Sequence, residues 1–572
     1  MVGRNSYVLK WGEVIAFSIT AGIVGGLGAV IFRLLIRTTH KLFFVWLLPR
    51  ISFHVGGFNL GYALLPAIGG IAVAVLVVKY PKIKGNGIPE VVEAVIFKSG
   101  NISGKFAAIK ILATSITIGS GGSVGREGPI GFIGASLTSF LAGRAHLSRE
   151  MKKLLTTCGL AAGIAGTFNT PLAGAMFALE VVYMGAFSIN LVPIFIASVT
   201  GNAVTLAVLQ RAFEVEIPGG LGHTVFELPL FFVMGLLLGV LAALYARFIY
   251  YLTDSFSSWK VPEFIKPVTG GIGVGIIGAL LPLYGIFGVG YGGMNMAFYG
   301  KLTLGLLVVL GIAKMLATAL TLGSGHSGGI FAPSLYIGTM FGAAFGMVVK
   351  AIFPTLGANP TVYALAGMAA FFSGITQAPV TQILMVTELT RSYAVLPAIM
   401  TSATMGFLTS RFFLKGDSIY TLKLTRKGYT IRTGKPVILE TIPVGEIMTK
   451  EPVYVYEDQS LLDVEHLVAK TGHDCFPVVN RDLEVKGVVG VKDFIKRPTS
   501  LKRLPVGRFI HGDYGVTYPS ETAEDAFEKL MAHDQNLLPV LESRESRKLV
   551  GVVTKRDIYK AYYRGLEGMY IE

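Results

Sequence analysis

The chain has 572 residues, 52% of them hydrophobic and only 15% charged, which excludes a disordered chain and argues against an ordinary soluble one. Residues 1–415 carry 27 Lys+Arg and 12 Asp+Glu, a net +15, whereas residues 416–572 carry 23 of each sign and are neutral. A membrane-class body is therefore followed by a soluble tail. The basic excess sits in apolar sequence, unlike the polar basic surface of a nucleic-acid binder, so no nucleic-acid partner is expected. Two cysteines, Cys158 and Cys475, give neither a disulfide framework nor a thiolate metal site.

In chain order, the first apolar run, Val14 to Leu35, is long enough to span a bilayer and lacks a small-residue cleavage pattern, so it is expected to stay as a membrane helix. Further apolar runs follow at about 62–79, 104–118, 152–166, 190–209, 228–250, 268–287, 303–322, 335–353, 361–373 and 392–410. Several are short or interrupted by glycine. Of 71 glycines, 58 precede residue 416, a density that points to closely packed and broken helices.

The body also repeats itself. GSGGS (119–123) leads into VGREGPIGFIGAS, and GSGHS (323–327) leads into GGIFAPSLYIGTM. Downstream, Asn169-Thr170-Pro171 and Gln377-Ala378-Pro379 each precede a glutamate, Glu180 or Glu388, by nine residues from the proline, and the two blocks are offset by 208. A duplicated membrane domain with Gly/Pro-interrupted segments at matching positions indicates a substrate site built from discontinuous helices near the bilayer midplane. Self-comparison leaves parallel and inverted arrangements both open.

A helix that begins inside a membrane presents unpaired N–H groups and the positive end of its dipole, which together attract an anion. Three segments fit: Gly85-Asn86-Gly87-Ile88-Pro89-Glu90, Gly125-Arg126-Glu127-Gly128-Pro129 and Gly328-Gly329-Ile330-Phe331-Ala332-Pro333. In each, glycine permits close backbone approach, and proline near the first turn gives up an N–H that has no intrahelical partner. Glu127 stands among such amides as an anion mimic: ionised it occupies the site, protonated it can swing away. Glu180 and Glu388 end apolar helical segments and read as satisfied structural carboxylates.

GNGIPE, GREGP, GGIFAP and the tyrosine of Asp417-Ser418-Ile419-Tyr420 resemble, in order and spacing, the signature segments of the CLC chloride channels and proton/chloride exchangers over about residues 10–425. The resemblance implies a polytopic α-helical protein of the cell membrane with broken helices and two inverted repeats, about 10–215 and 225–425, within a domain spanning 1–425. It further implies a homodimer with one anion pathway per subunit. Asn86, Gly87, Ile88, Arg126, Gly128, Ile330, Phe331, Ala332 and Tyr420 would line the anion sites, Arg126 by shaping the field, and Glu127 would gate them. The sequence departs from the family twice. Asn86 replaces the usual serine, which keeps a donor but adds bulk and an acceptor and leaves fluoride or another anion as an alternative to chloride. Val181 stands where the exchangers carry an internal proton glutamate, which leaves proton/chloride exchange and passive conduction both open.

The tail repeats too. A unit beginning at Val444 continues through CFPVV and GVVGVKDFI, and one beginning at Val506 continues through LLPVL and GVVTKRDIY. Short β-rich runs alternate with amphipathic helices, giving two small α/β modules. They resemble a tandem CBS pair, 441–498 and 503–564, joined to the body by a linker at 426–440. The resemblance implies a cytoplasmic module that binds adenine nucleotide (ATP, ADP or AMP) as a regulatory ligand, with no cofactor required. In Gly551-Val552-Val553-Thr554-Lys555-Arg556-Asp557, Thr554 would face phosphate and Asp557 the ribose, with Val478 and Pro539 completing the site. The first unit keeps Asp493 but has Gly490 in place of the threonine, so one nucleotide per pair is expected.

Anion transport is thus the leading reading. A CBS-containing magnesium transporter would want intramembrane carboxylates in place of a +15 body. A membrane enzyme would need a catalytic or metal-binding constellation, and the nine histidines are scattered. Part of the positive charge, Lys79, Lys82, Lys84, Arg144 and Arg149, falls in short loops and fits positive-inside topology.

Overall fold

A computed structural model describes residues 11–55, 58–183, 191–209, 215–426, 431–432, 435–436, 439, 442–493, 498–510 and 514–571. Contacts divide the chain into two compact units, Met1–Arg426 and Lys427–Glu572. Much of the stretch read as a linker, 426–440, lies outside the described residues.

The first half of unit 1 contains α1 (Trp11–His40, running on as a π-helix Lys41–Leu47), α2 (Gly61–Lys79), α3 (Ile88–Phe97), α4 (Gly104–Gly119), α5 (Glu127–Arg144), α6 (Arg149–Phe168), α7 (Pro171–Phe177, extended by a π turn Ala178–Val182) and α8 (Leu191–Leu209). The second half gives the same series: α9 (Leu228–Ser258), α10 (Ile265–Leu280), α11 (Tyr291–Phe298), α12 (Leu304–Gly323), α13 (Phe331–Ile352), α14 (Pro360–Thr376), α15 (Pro379–Thr390) and α16 (Leu396–Phe413). Each helix has its mate eight places on. Among the described residues, six helical segments are long and apolar enough to cross a membrane, including Trp11–Ile51 and Val225–Ser258. On α1, Ile15, Ile19, Ile23, Leu27 and Ile31 recur every four residues and are exposed, an apolar stripe suited to lipid.

Glycine sets how closely these helices approach. A β-carbon on Gly338 of α13 would stand 2.5 Å from the Gly367 carbonyl oxygen of α14 and 2.8 Å from the Met368 Cα, and the repeat mates Gly134 and Gly159 bring α5 onto α6 in the same way. Gly338→Ala must therefore push two backbones apart. It should lower stability by about 1–3 kcal/mol, read as an earlier unfolding transition in detergent, whereas Gly305→Ala, with nothing near its β-carbon, should leave that transition in place.

The mates are antiparallel where they meet. Glu180, at the C-terminal end of the α7 segment, accepts hydrogen bonds from Val380 N (3.0 Å), Thr381 N (2.6 Å) and Thr381 Oγ1 (2.6 Å) in the first turn of α15. Glu388, in the last turn of α15, accepts from Leu172 N (3.0 Å) and Ala173 N (2.8 Å) in the first turn of α7. Each carboxylate caps the other helix and meets the positive end of its dipole. The 208-residue offset in the sequence is this reciprocal capping, and it fixes the repeats as inverted.

Unit 2 holds β1 (Val455–Tyr456), α17 (Leu461–Thr471), β2 (Cys475–Val479) and β3 (Val485–Gly490), then α18 (Ala523–Ala532), β4 (Leu537–Leu541), β5 (Leu549–Thr554) and α19 (Lys555–Ile571). β2 pairs with β3 and β4 with β5, both antiparallel. Val479 and Val485 of the first module pack with Leu537, Leu541, Leu549 and Val552 of the second, closing the pair around a shared apolar seam. Capping boxes start α17 (Ser460 with Asp463) and α18 (Thr522 with Asp525). The serine and threonine hydroxyls, and then the backbone amides, hold both aspartates below the ordinary carboxylate range. Their contribution is thus present at neutral pH and fades as pH falls through the folded-state value.

Candidate anion site

The glycine motifs converge at the start of three helices. Gly87, at φ 97° and free of the β-carbon that would meet Lys110 Cε at 2.9 Å, turns the chain into α3. Ile88 opens that helix and is fully buried. Arg126 and Ile330 are the N-caps of α5 and α13. Gly125 and Gly329 exchange backbone hydrogen bonds of 2.6 and 2.7 Å, and Gly85 does the same with the 326–328 segment, donating to His326 O (3.0 Å) and accepting from Gly328 N (3.2 Å). A β-carbon on Gly128 would lie 2.9 Å from the Asn86 carbonyl oxygen, and one on Gly125 would lie 3.0 Å from Ala332 N. The structure thus brings Asn86, Gly87, Ile88, Gly128, Ile330, Phe331 and Ala332 together at the starts of three helices, the ends at which backbone N–H groups lack intrahelical partners.

Tyr420 completes it from the C-terminal end of the unit. Its segment is held by Ile419 N donating to Ile375 O (2.9 Å), by Tyr250 OH donating to Ile419 O (2.8 Å) and by an ion pair between Lys423 and Glu90 of α3 (2.5 Å). Its ring meets Phe177 edge-on at 6.1 Å, and Phe177 packs on Phe331 at 5.5 Å. The hydroxyl is buried with no hydrogen-bond partner among the described residues, and the Asn86 side chain lies beside it. A buried phenol without a protein acceptor is a donor suited to an anion.

Glu127 is fully buried. Its Oε1 accepts from Tyr291 OH at 2.8 Å and its Oε2 from Ala332 N at 3.3 Å, so the side chain reaches from the start of α5 to the start of α13. The Arg126 guanidinium lies 5.2 Å from the Tyr291 ring centroid. Tyr291 carries no motif in the sequence reading. Its signal is the repeat: Gly288-Val289-Gly290-Tyr291 is the mate of Gly85-Asn86-Gly87-Ile88, and Gly290, like Gly87, is left-handed at φ 99°. Two buried lysines are mates as well. Lys110 Nζ donates to Ile83 O and Gly85 O, both at 2.9 Å, and Lys314 Nζ donates to Gly285 O (3.0 Å), Ile286 O (3.0 Å) and Gly288 O (2.8 Å). Each binds together the loop that ends in a left-handed glycine. Val181 is buried and apolar, with no ionisable group of its own.

In unit 2, Thr554 and Asp557 meet directly. Asp557 Oδ2 accepts from Thr554 N (3.0 Å) and Thr554 Oγ1 (2.6 Å), and Asp557 N donates back to Thr554 Oγ1 (3.3 Å), a third box of the Ser460/Asp463 type. Pro539 lies on β4, opposite Val552 of β5. Val478 is buried in the first module's own core with Val455, Leu461 and Phe476. Gly490 ends β3, and the side chain of Asp493 lies outside the described residues.

Comparison with known proteins gives the same division. The family described as voltage gated chloride channel matches residues 69–411, and the CBS domain matches twice, at 444–499 and 506–564. Among curated relatives, the H(+)/Cl(-) exchange transporter ClcA of Vibrio parahaemolyticus is 32% identical over 437 residues, covering 74% of this chain and 92% of its own. Chloride channel protein CLC-f of Arabidopsis thaliana is 28% identical over 565 residues, covering 88% of this chain and 66% of its own. Among solved structures, a slow cyanobacterial Cl-/H+ antiporter aligns with a TM-score of 0.65 at 23% identity, covering 73% of this chain and 98% of its own. A eukaryotic CLC transporter aligns at 0.64 and 18% identity over 96% of this chain and 99% of its own.

Proposed function

The chain belongs to the voltage gated chloride channel family, and from that membership and the geometry above we propose that it carries chloride across the cell membrane through the site between α3, α5 and α13, with Glu127 as its gate. The carrying observation is Glu127 itself, a buried carboxylate accepting from the Ala332 amide at the start of α13. It takes the kind of donor an anion would take, so a permeant anion and an ionised Glu127 compete for one place. Asn86, the amides of Gly128, Ile330 and Phe331, and the Tyr420 hydroxyl then pass the anion along. Two copies form the working unit, each with its own path. The CBS pair faces the cytoplasm and answers to adenine nucleotide.

Asn86 favours a second reading in selectivity alone. Its amide keeps an N–H donor where the family usually carries a serine hydroxyl but changes its size and shape, and fluoride is the alternative substrate. The family match leaves the magnesium-transporter reading without support. Efflux from vesicles holding reconstituted protein, loaded with chloride or with fluoride, tests the function and its selectivity together. In the same vesicles, proton movement driven by a chloride gradient should be weak or absent, because Val181 offers no proton site. Uphill proton movement at a fixed ratio to chloride would make the protein an exchanger with another internal donor. Absence of any anion flux would overturn the function.

A further inference from the structure

Two of the donors assigned to the anion, the Asn86 amide and the Tyr420 hydroxyl, come from opposite ends of unit 1, and their backbones are moored separately. The loop of Asn86 is tied to the 326–328 segment through Gly85, whereas the segment of Tyr420 is tied through Ile419 to Ile375 of α14 and Tyr250 of α9. Arg426, farther along that segment, pairs with Asp254 of α9 at 2.5 Å. Left to these moorings, the gap between the two donors would follow every small shift of α9, α14 and the 326–328 segment. The Lys423–Glu90 ion pair joins the two elements directly. Glu90 stands four residues after Asn86, in the first turn of α3, and Lys423 stands three residues after Tyr420, in the short helix Leu422–Thr425. Lys423 Nζ meets Glu90 Oε1 at 2.5 Å, so one contact closes a short span from each donor.

An ion pair with side chains 40% and 20% exposed is a weak source of stability. Its place in the chain points to another use. We propose that Glu90 and Lys423 are positioning residues that set the gap between Asn86 and Tyr420 and thereby which anions pass, an inference that rests on the anion-transport reading. A gap and an electric field leave different traces. Chloride and iodide carry the same charge and differ in radius, so a change of field moves both alike, whereas a change of gap alters the ratio between them. The two charges are also opposite. Loss of Glu90 leaves the surroundings of the site more positive and loss of Lys423 leaves them more negative, so a field role drives the two variants apart and a spacing role drives them the same way. Lys110, bound to Ile83 O and Gly85 O, stays close to Glu90 when Lys423 is removed, so that carboxylate keeps a counter-charge.

Chloride and iodide efflux from vesicles holding the reconstituted full-length chain reads the ratio, with the unfolding transition in detergent measured alongside. The wild type should discriminate between the two halides. Glu90→Gln and Lys423→Met should each move the chloride-to-iodide ratio toward one by about threefold or more, because a site loosened at its supports loses its fit. The double variant should go no further than either single, since both remove one contact. Lys423→Arg, which keeps the charge and the reach, should stay near the wild-type ratio. If a single variant does not fold, the double variant, which leaves neither charge alone, decides by itself. Unchanged ratios beside intact wild-type flux would overturn the pair and leave the transport reading standing. Opposite shifts in the two singles, or effects that add in the double, would overturn spacing as well. No halide flux in the wild type would overturn the transport reading and this inference with it.

Discussion

Glu127→Gln is expected to remove the pH dependence of anion flux while leaving flux intact. In the wild type the ionised carboxylate holds the anion's place, so flux should rise as pH falls and protonation releases the side chain. Glutamine has the shape of the protonated acid and no charge at any pH. It should therefore run at one rate across the range, close to the wild type's acid limit. The groups that face Glu127 from the packed elements are Arg126, Tyr291, Lys314 and Tyr420. The Tyr291 hydroxyl donates to the carboxylate at 2.8 Å and so stabilises its charged form. Tyr291→Phe, which deletes only that hydroxyl, should then move the wild-type pH midpoint upward, since the carboxylate loses a donor. Added to Glu127→Gln, the same substitution should shift no midpoint. Efflux measured across pH in the two single variants and the double variant checks both statements, and a pH profile unchanged by Glu127→Gln would remove Glu127 from the role of gate.

Much of this site was legible in the sequence because helix starts are local. Glycine for a left-handed turn, proline in the first turn and the interrupted apolar run are short-range signals, and Gly87 and Pro89 or Gly125 and Pro129 carry them in a few consecutive letters. The apolar runs likewise gave the longer helices except α5 (Glu127–Arg144), whose glycines, serines and terminal charges break up its apolar run, since bilayer length alone requires long spans. The short helices α3, α7, α11 and α15 were not among those runs: at 7 to 12 residues they owe their place to packing and, for α7 and α15, to caps supplied from the other repeat. The caps Glu180 and Glu388 could be read as structural, but the helices they cap are 200 residues away and no spacing rule connects them. Tyr291 was missed for a related reason. Its partner Glu127 is 164 residues distant, and an isolated tyrosine among glycines has no motif until the two repeats are aligned. In the tail, Thr554 and Asp557 were recognised as a pair, but the capping role they share with Ser460/Asp463 and Thr522/Asp525 was not, because a cap and a ligand-binding pair use the same letters.

That shared spelling sets the terms for the nucleotide site. Asp557→Ala would remove its own half of the capping box of α19 together with any ribose contact, so lost binding could follow from a frayed helix, a cost of up to about 1 kcal/mol. Asp557→Asn separates the two. The amide oxygen can still accept the two bonds that Asp557 Oδ2 accepts from Thr554 N and Oγ1 at 3.0 and 2.6 Å, while the charge is gone. Because Asp557 spends Oδ2 on the cap, Oδ1 is the oxygen left for ribose hydroxyls. The Thr554 hydroxyl, which gives its proton to Asp557, can serve phosphate as a donor only by leaving the cap. A charge-assisted hydrogen bond contributes about 1.5–3 kcal/mol, and about 1.4 kcal/mol is tenfold in affinity. Asp557→Asn should therefore bind ATP, ADP or AMP at least tenfold more weakly by calorimetry on the full-length chain, with its unfolding transition little changed. Nucleotide should alter anion flux in the wild type and not in the variant, because a ligand regulates only through its different affinities for two states. Unchanged affinity in Asp557→Asn, or no heat with any adenine nucleotide at millimolar concentration, would leave Thr554 and Asp557 as a helix cap and the CBS pair as a scaffold.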